Sequence, residues 1–262
     1  MPANKAFSLS QDLRHAFRTA GGVLGRLLLP QTCVLCSLPS ENAPVCPDCA
    51  ADLPVPAGLQ CSRCALPLQH YPNSTAAACP DCAHHTPAFD TAVAAWSYSF
   101  PVDALIQDFK YGHHLYLAGF FGQHLAQTLK RQWHMQPDSI QPDLIIPMPL
   151  HANRLKSRGF NQAAEIARHV SKHVAIPWCT TSLIRLHDTA PQAGLHRNER
   201  WSNLRGAFAC PAPLPDARIL LIDDVLTTGA SLSACAEVLR HAGASRVDVA
   251  VIARTPEPGH AF

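Results

Sequence analysis

The chain has 262 residues, a net charge of +2 and a pI near 8.0, enough for one sizeable α/β domain and a smaller module. So even a balance of charge gives no global case for nucleic-acid binding. No apolar run reaches the roughly 18 residues that a membrane-spanning helix needs. The N-terminus lacks the basic start, apolar core and small-residue cleavage site of a signal peptide, so a cytoplasmic protein is expected.

Residues 1–30 read as an N-terminal amphipathic helix. Leu9, Leu13, Phe17 and Leu24 are among its apolar positions, and Arg14, Arg18 and Arg26 make the other side basic. A helix packed on the body of its own protein fits this better than a membrane-surface helix.

Residues 31–88 carry four C-x-x-C pairs: Cys33/Cys36, Cys46/Cys49, Cys61/Cys64 and Cys79/Cys82. A C-x-x-C turn directs two thiolates at one ion, and two such knuckles complete a tetrahedral site. Four knuckles therefore suit two structural Zn²⁺ ions. Disulfides are disfavoured in a cytosolic chain, and an iron–sulfur cluster is a weaker fit to paired, evenly distributed knuckles. Spacing leaves two ways to pair them: sequentially, as a double ribbon, or interleaved, as a cross-brace. The sequential arrangement is the one expected. His84 and His85 follow the last pair, but eight cysteines already fill two sites. Cys179, Cys210 and Cys235 stand alone, and each is expected to be a buried small hydrophobe.

From residue 89 onward the pattern is that of an α/β domain. Phe89 to Phe100 suggests a strand, Leu105 to Tyr111 the start of a helix, and Leu115 to Trp133 a helix with Leu117, Phe121, Leu125 and Leu129 on one side. Asp143 to Leu150 reads as a buried strand entering a Pro-rich turn. Arg154, Lys156 and Arg158 follow, then Gly159 and a helix from Asn161 to Val174. Cations and a helix start just past a strand end suit a pyrophosphate. His187 to Arg205 is polar with little periodicity, as expected of a functional lid, and Arg197 and Arg200 are the cations it would bring over a bound anion.

The richest stretch is Ile219 to Ser231, ILLIDDVLTTGAS. Ile219 to Ile222 form a continuous apolar run, the mark of a strand covered on both faces. Asp223 and Asp224 follow at its carboxyl end, where open α/β sheets place their ligands. Thr227, Thr228 and Ser231 offer hydroxyls, and Gly229 allows close backbone approach. Leu232, Cys235, Ala236 and Leu239 then repeat at helical spacing, so a helix starts near Gly229 and presents free N–H groups to an anion. A ligand that is both polyol and phosphate, such as ribose 5-phosphate, satisfies both halves.

This segment resembles the phosphoribosyl pyrophosphate (PRPP) loop of type I phosphoribosyltransferases. Together with PMPLH at Pro147–His151, RGFNQA at Arg158–Ala163, PQAGLHRNER at Pro191–Arg200 and NLRGAF at Asn203–Phe208, it is similar in content and order to the ComF family, whose members also begin with C-x-x-C zinc ribbons. The likeness runs from about Leu27 to Thr255. It implies a type I phosphoribosyltransferase-like parallel sheet flanked by helices over residues 89–262, preceded by the small zinc-ribbon module. It also implies a phosphoribosyltransferase that takes PRPP with Mg²⁺. Asp223 and Asp224 would hold the ribose hydroxyls, and Thr227, Thr228, Gly229, Ala230 and Ser231 the 5′-phosphate. Arg154 and Arg158 would face the pyrophosphate, and Arg197 and Arg200 would close over it. The implied setting is natural transformation, with single-stranded DNA and DNA-uptake or recombination proteins as partners. The other reading is a non-catalytic adaptor that binds PRPP or single-stranded DNA and docks partners through its zinc ribbon. Thr227 departs from purine-salvage relatives, which often carry an acid at this position to manage the base's proton; threonine is no general base near neutral pH.

Overall fold

The computed structural model describes residues 32–40, 43–68, 78–112, 114–135, 141–188, 204 and 206–256. The expected N-terminal helix and the lid arginines Arg197 and Arg200 lie outside these residues. The chain forms two compact units, Met1–Asp52 and Leu53–Phe262.

Each unit holds one pair of knuckles, and the two pairs are built alike. In the first, the Cys33 N–H donates to the Leu38 carbonyl (2.8 Å) and Ser37 N–H returns to the Cys33 carbonyl (2.8 Å). In the second, Cys61 and Leu66 (2.8 Å) and Ala65 and Cys61 (2.9 Å) repeat this pattern. Ser37 and Ala65 both take the left-handed conformation that closes the turn, at φ 61° and 56°. A proline then starts a one-turn helix after each second knuckle's first cysteine: α1 is Pro47–Ala51 and α2 is Pro80–His84. Proline suits this first helical position because its missing N–H would be unpaired there anyway.

In the larger unit, β1 (Ala92–Ser97), β2 (Leu144–Pro147), β5 (Arg218–Leu226) and β6 (Arg246–Arg254) form a parallel sheet in the order β1-β6-β5-β2. Helix α3 (Val102–Tyr111) follows β1, and α4 (Leu117–Met135) packs with α6 (Gln162–Val174) against the sheet. Helix α7 (Ala230–His241) follows β5 directly and packs on β5 and β6. A small antiparallel pair, β3 (Ile184–Arg185) with β4 (Phe208–Ala209), completes the fold. Helices on both faces explain the unbroken apolar run in β5: Ile219, Leu220, Leu221 and Ile222 are all 2% exposed or less. Alternation along the strand puts Ile219 and Leu221 in one core cluster with Leu232, Cys235, Ala236 and Leu239 of α7.

That cluster also contains Cys61, Cys64, Cys79 and Cys82, along with Leu66, Leu68 and Phe89. The second knuckle pair is therefore part of the core of the larger unit. The sequence groups both pairs in residues 31–88, whereas the compact units separate after Asp52.

Three local readings differ from expectation. Strand β5 does not end before the acid pair: pairing with β6 continues through Asp223↔Val251 to Leu226↔Arg254. Arg154, Lys156 and Arg158, expected only to follow the Pro-rich turn, form a helix of their own, α5 (Ala152–Arg158), capped by the His151 side chain and closed by Gly159 at φ 81°. Of the lone cysteines, Cys235 is fully buried as expected, but Cys179 and Cys210 are only partly covered. Cys179 finds a polar neighbour in the Thr181 hydroxyl at 3.2 Å.

Candidate functional site

Sequence proximity brings the cysteines into two groups of four, Cys33/Cys36/Cys46/Cys49 and Cys61/Cys64/Cys79/Cys82. This is the sequential pairing, and in each group the sulfurs lie within 4.8 Å of one another. Cys36 and Cys46 sulfurs are 3.8 Å apart and Cys64 and Cys79 sulfurs 3.7 Å. Four sulfurs about 2.3 Å from a tetrahedral Zn²⁺ sit about 3.8 Å apart, so the spacing fits the ion. Backbone N–H groups already point at sulfur, from Cys46 to Cys33 (3.3 Å) and from Cys79 to Cys61 (3.2 Å), the donors that would steady a metal-bound thiolate. Hydrogen bonds with Cys64, Cys79 and Cys82 draw Cys61 far down, while Cys61 and its neighbours push Cys79 and Cys82 far up. The donor chemistry is that of structural Zn²⁺.

The second candidate site lies where β5 ends. Asp223 Oδ1 accepts the Asp224 N–H at 2.8 Å, which holds the Asp223 carboxylate against its neighbour's backbone. Burial, and then the charge of Asp224, push Asp223 up to about 7. Asp224 is neutralised by Lys110 from the end of α3, Nζ to Oδ2 at 3.0 Å. Burial pulls Lys110 down, but the Asp224 carboxylate, helped by Asp223 and Tyr98, offsets this and leaves it above its ordinary value. The turn Thr227–Gly229 follows, with Gly229 at φ 77° as the N-cap of α7. That conformation is costly for other residues. Gly229 has no side chain to cap α7, and the first N–H, of Ala230, has only a long contact to the Thr228 hydroxyl at 3.5 Å, so the acid pair adjoins a helix start whose donors suit an anion.

Sequence reasoning missed two cations here. Lys110 continues the apolar stripe Val102, Leu105, Ile106 and Phe109 of α3; a lysine at the next stripe position, i+8, was the available signal. Arg185 on β3 is the other. Burial, then the Arg154 charge, pull its guanidinium below the ordinary value, while Asp188 and Asp223 act in the opposite direction. Arg185 thus feels the charges of both Asp223 and Arg154 of α5. Arg154 is held by Asp188 (3.7 Å), which also accepts from Asn153 (3.1 Å). Arg158 donates to Gln162 Oε1 (2.8 Å) and lies over the Tyr111 ring at 5.2 Å. Asp188, where the expected lid begins, is therefore anchored to α5. Lys110→Met would strand the Asp224 carboxylate beside Asp223. A loss of about 2 kcal/mol is expected, or about 4–8 °C in a thermal melt; an unmoved melt would show that the pair adds nothing.

The parallel sheet, the strand–acid pair–turn–helix sequence and the two cysteine clusters define the class: a phosphoribosyltransferase-type α/β domain with a double zinc ribbon. Residues 24–83 match the family described as "Double zinc ribbon domain" and residues 156–260 the "Phosphoribosyl transferase domain". The chain is 31% identical over 199 residues to Competence protein F of Haemophilus influenzae, covering 74% of this chain and 84% of that protein. It is 28% identical over 234 residues to DNA utilization protein YhgH of Salmonella typhimurium, covering 87% and 99%. Competence protein ComFC of Streptococcus pneumoniae is 25% identical over 154 residues, 59% of this chain and 64% of that one. The chain belongs to the ComF family. No helix among the described residues is long and apolar enough to cross a membrane.

Proposed function

We propose that this protein binds PRPP at the carboxyl end of β5 and transfers its phosphoribosyl group to an acceptor. The observation that carries the reading is the Asp223–Asp224 pair, half neutralised by Lys110 and followed, across the turn Thr227–Gly229, by the N-terminal start of α7. In this reading Asp223 and Asp224 accept from the ribose hydroxyls. Thr227, Thr228, Gly229, Ala230 and Ser231 enclose the 5′-phosphate. Arg154 and Arg158 face the pyrophosphate from α5, with Arg185 feeling the charges of both Arg154 and Asp223. Arg197 and Arg200 are the lid cations that offset charge on the leaving pyrophosphate. Mg²⁺ is expected to arrive with PRPP, since it is held mainly through substrate phosphates and one or two carboxylates, and it would supply neutralisation of the pyrophosphate.

The setting we infer is the handling of incoming DNA during transformation, in the cytoplasm. The relatives named for competence and DNA utilization support this. Single-stranded DNA and DNA-uptake or recombination proteins are the partners that follow from it.

A second reading, a PRPP- or single-stranded-DNA-binding adaptor without turnover, is favoured by one feature. The exposed Thr227 stands where a proton-managing acid would be useful. Pyrophosphate release from PRPP, measured over a panel of nucleobases and amines, separates the two. Release with any acceptor establishes transfer. Saturable PRPP binding with no release across the panel leaves the adaptor.

A further inference from the structure

The last residue of β6 is a buried arginine. Arg254 is 8% exposed, and its hydrogen-bond partners are main-chain carbonyls, a hydroxyl and a thiol. Its Nε donates to the Cys64 carbonyl at 3.0 Å, and its Nη2 lies 3.8 Å from the Cys64 sulfur. Its Nη1 donates to the carbonyls of Leu226 (3.1 Å) and Thr227 (2.7 Å), and to the Thr255 carbonyl (2.7 Å). The Thr255 N–H also donates to Leu226 O at 3.1 Å. One guanidinium therefore spans the second cysteine cluster and the first two peptides of the turn after the acid pair.

A buried guanidinium is costly unless charge and acceptors meet it. Four thiolates on a divalent cation carry two net negative charges, so the loaded cluster is the counter-charge Arg254 faces across the Cys64 sulfur. The carbonyls supply the acceptors. Peptide planarity does the rest. In a trans peptide the C=O and N–H point in opposite directions. Drawing the Leu226 and Thr227 carbonyls toward Arg254 therefore turns the N–H groups of Thr227 and Thr228 away from it. Those are the first two donors of the turn that enters α7.

We propose that Arg254 is a positioning residue that ties the turn Thr227–Gly229 to the second cysteine cluster, so that the loaded metal site sets the direction of the phosphate-binding donors. The ligand assigned to those donors rests on the PRPP reading above; the mechanical tie does not. It gives the second ribbon a task in the binding site, in addition to its share of the core.

The test uses the full-length protein with its zinc content measured first. Arg254→Gln shortens the reach and removes the charge; Arg254→Lys keeps the charge but has one donor centre in place of a fork. Both are expected to lose hydrogen-exchange protection at the Thr255 amide, which donates to the same Leu226 carbonyl that Arg254 holds, and to bind ribose 5-phosphate about tenfold more weakly, the worth of one or two hydrogen bonds. Binding of inorganic pyrophosphate, which reads the α5 end, should stay as in the unsubstituted protein. Equal weakening of both ligands would mean general loosening and would overturn the proposal, as would unchanged protection and affinity. If the unsubstituted protein binds neither ligand, the PRPP reading fails, and amide protection alone still decides the tie. Should neither variant fold, the Thr255 amide is followed in the unsubstituted protein during graded chelation. Loss of its protection before the sheet opens supports the tie, and loss only with the whole sheet refutes it.

Discussion

Cys79→Ser is expected to remove one zinc and to take the stability of the larger unit with it, whereas Cys36→Ser removes one zinc and leaves that unit standing. Metal analysis of the unsubstituted chain should give about two zinc ions, following the four-ligand rule. The asymmetry comes from where the sulfurs sit. Cys61, Cys64, Cys79 and Cys82 are all buried and belong to one apolar cluster with Phe89, β5 and α7. Cys36 is exposed and Cys49 partly so. A structural zinc contributes about 10–16 kcal/mol in small peptides, against a total of about 5–15 kcal/mol for a domain. The apolar core would survive in part, so the expected loss for Cys79→Ser is at least about 4 kcal/mol, or about 8–16 °C. For Cys36→Ser the main melting transition should stay within about 2 °C, the range of a surface change. If Cys79→Ser gives no soluble protein, chelator titration of the unsubstituted chain replaces it. One equivalent should leave before the main circular-dichroism transition is disturbed. Similar shifts for the two variants, or a main transition untouched by Cys79→Ser, would sink the claim that the second ribbon is core.

Periodicity and local chemistry made much of this site legible. The apolar run Ile219–Ile222, the acids after it and the helical spacing of Leu232, Cys235, Ala236 and Leu239 are local features, and each maps onto β5, the acid pair and α7. The knuckles were equally readable, because C-x-x-C geometry is set within four residues. What stayed hidden depends on tertiary placement. Lys110 reaches Asp224 from a helix more than a hundred residues earlier, and only its position on an apolar stripe marks it. Arg185 sits on a two-residue strand with no periodicity to read. Arg254 resembles any strand-ending arginine until Leu226 and Cys64 are seen on either side of it. The tie of the second ribbon to the sheet was hidden for the same reason: four equivalent C-x-x-C pairs do not reveal which of them the core will claim.

Asp223→Asn is expected to cost ligand binding and to make the protein more stable. The two effects have one cause. Burial and the Asp224 charge raise Asp223 from 3.8 to about 7, so the folded protein holds a proton there that the unfolded chain releases at lower pH. For a carboxyl raised on folding, stability falls as pH climbs from about 4 to about 7 and is level above that. The neutral amide escapes this loss. The variant should gain about 1–3 kcal/mol at pH 8, or about 2–12 °C, and the gain should vanish by pH 4. PRPP affinity should fall about 100-fold, since an amide cannot replace a charged acceptor for a ribose hydroxyl without turning a donor toward it. Asp224→Asn should also lose affinity, but it should gain no stability, because it leaves the partly buried Lys110 without its partner. Thermal melts at pH 4, 6 and 8, with PRPP titrations of the same three proteins, decide the matter. An Asp223→Asn variant that binds PRPP normally would remove the ribose assignment. One whose melt shows no pH-dependent gain would mean that Asp223 is already ionised at neutral pH, with Lys110 serving both acids.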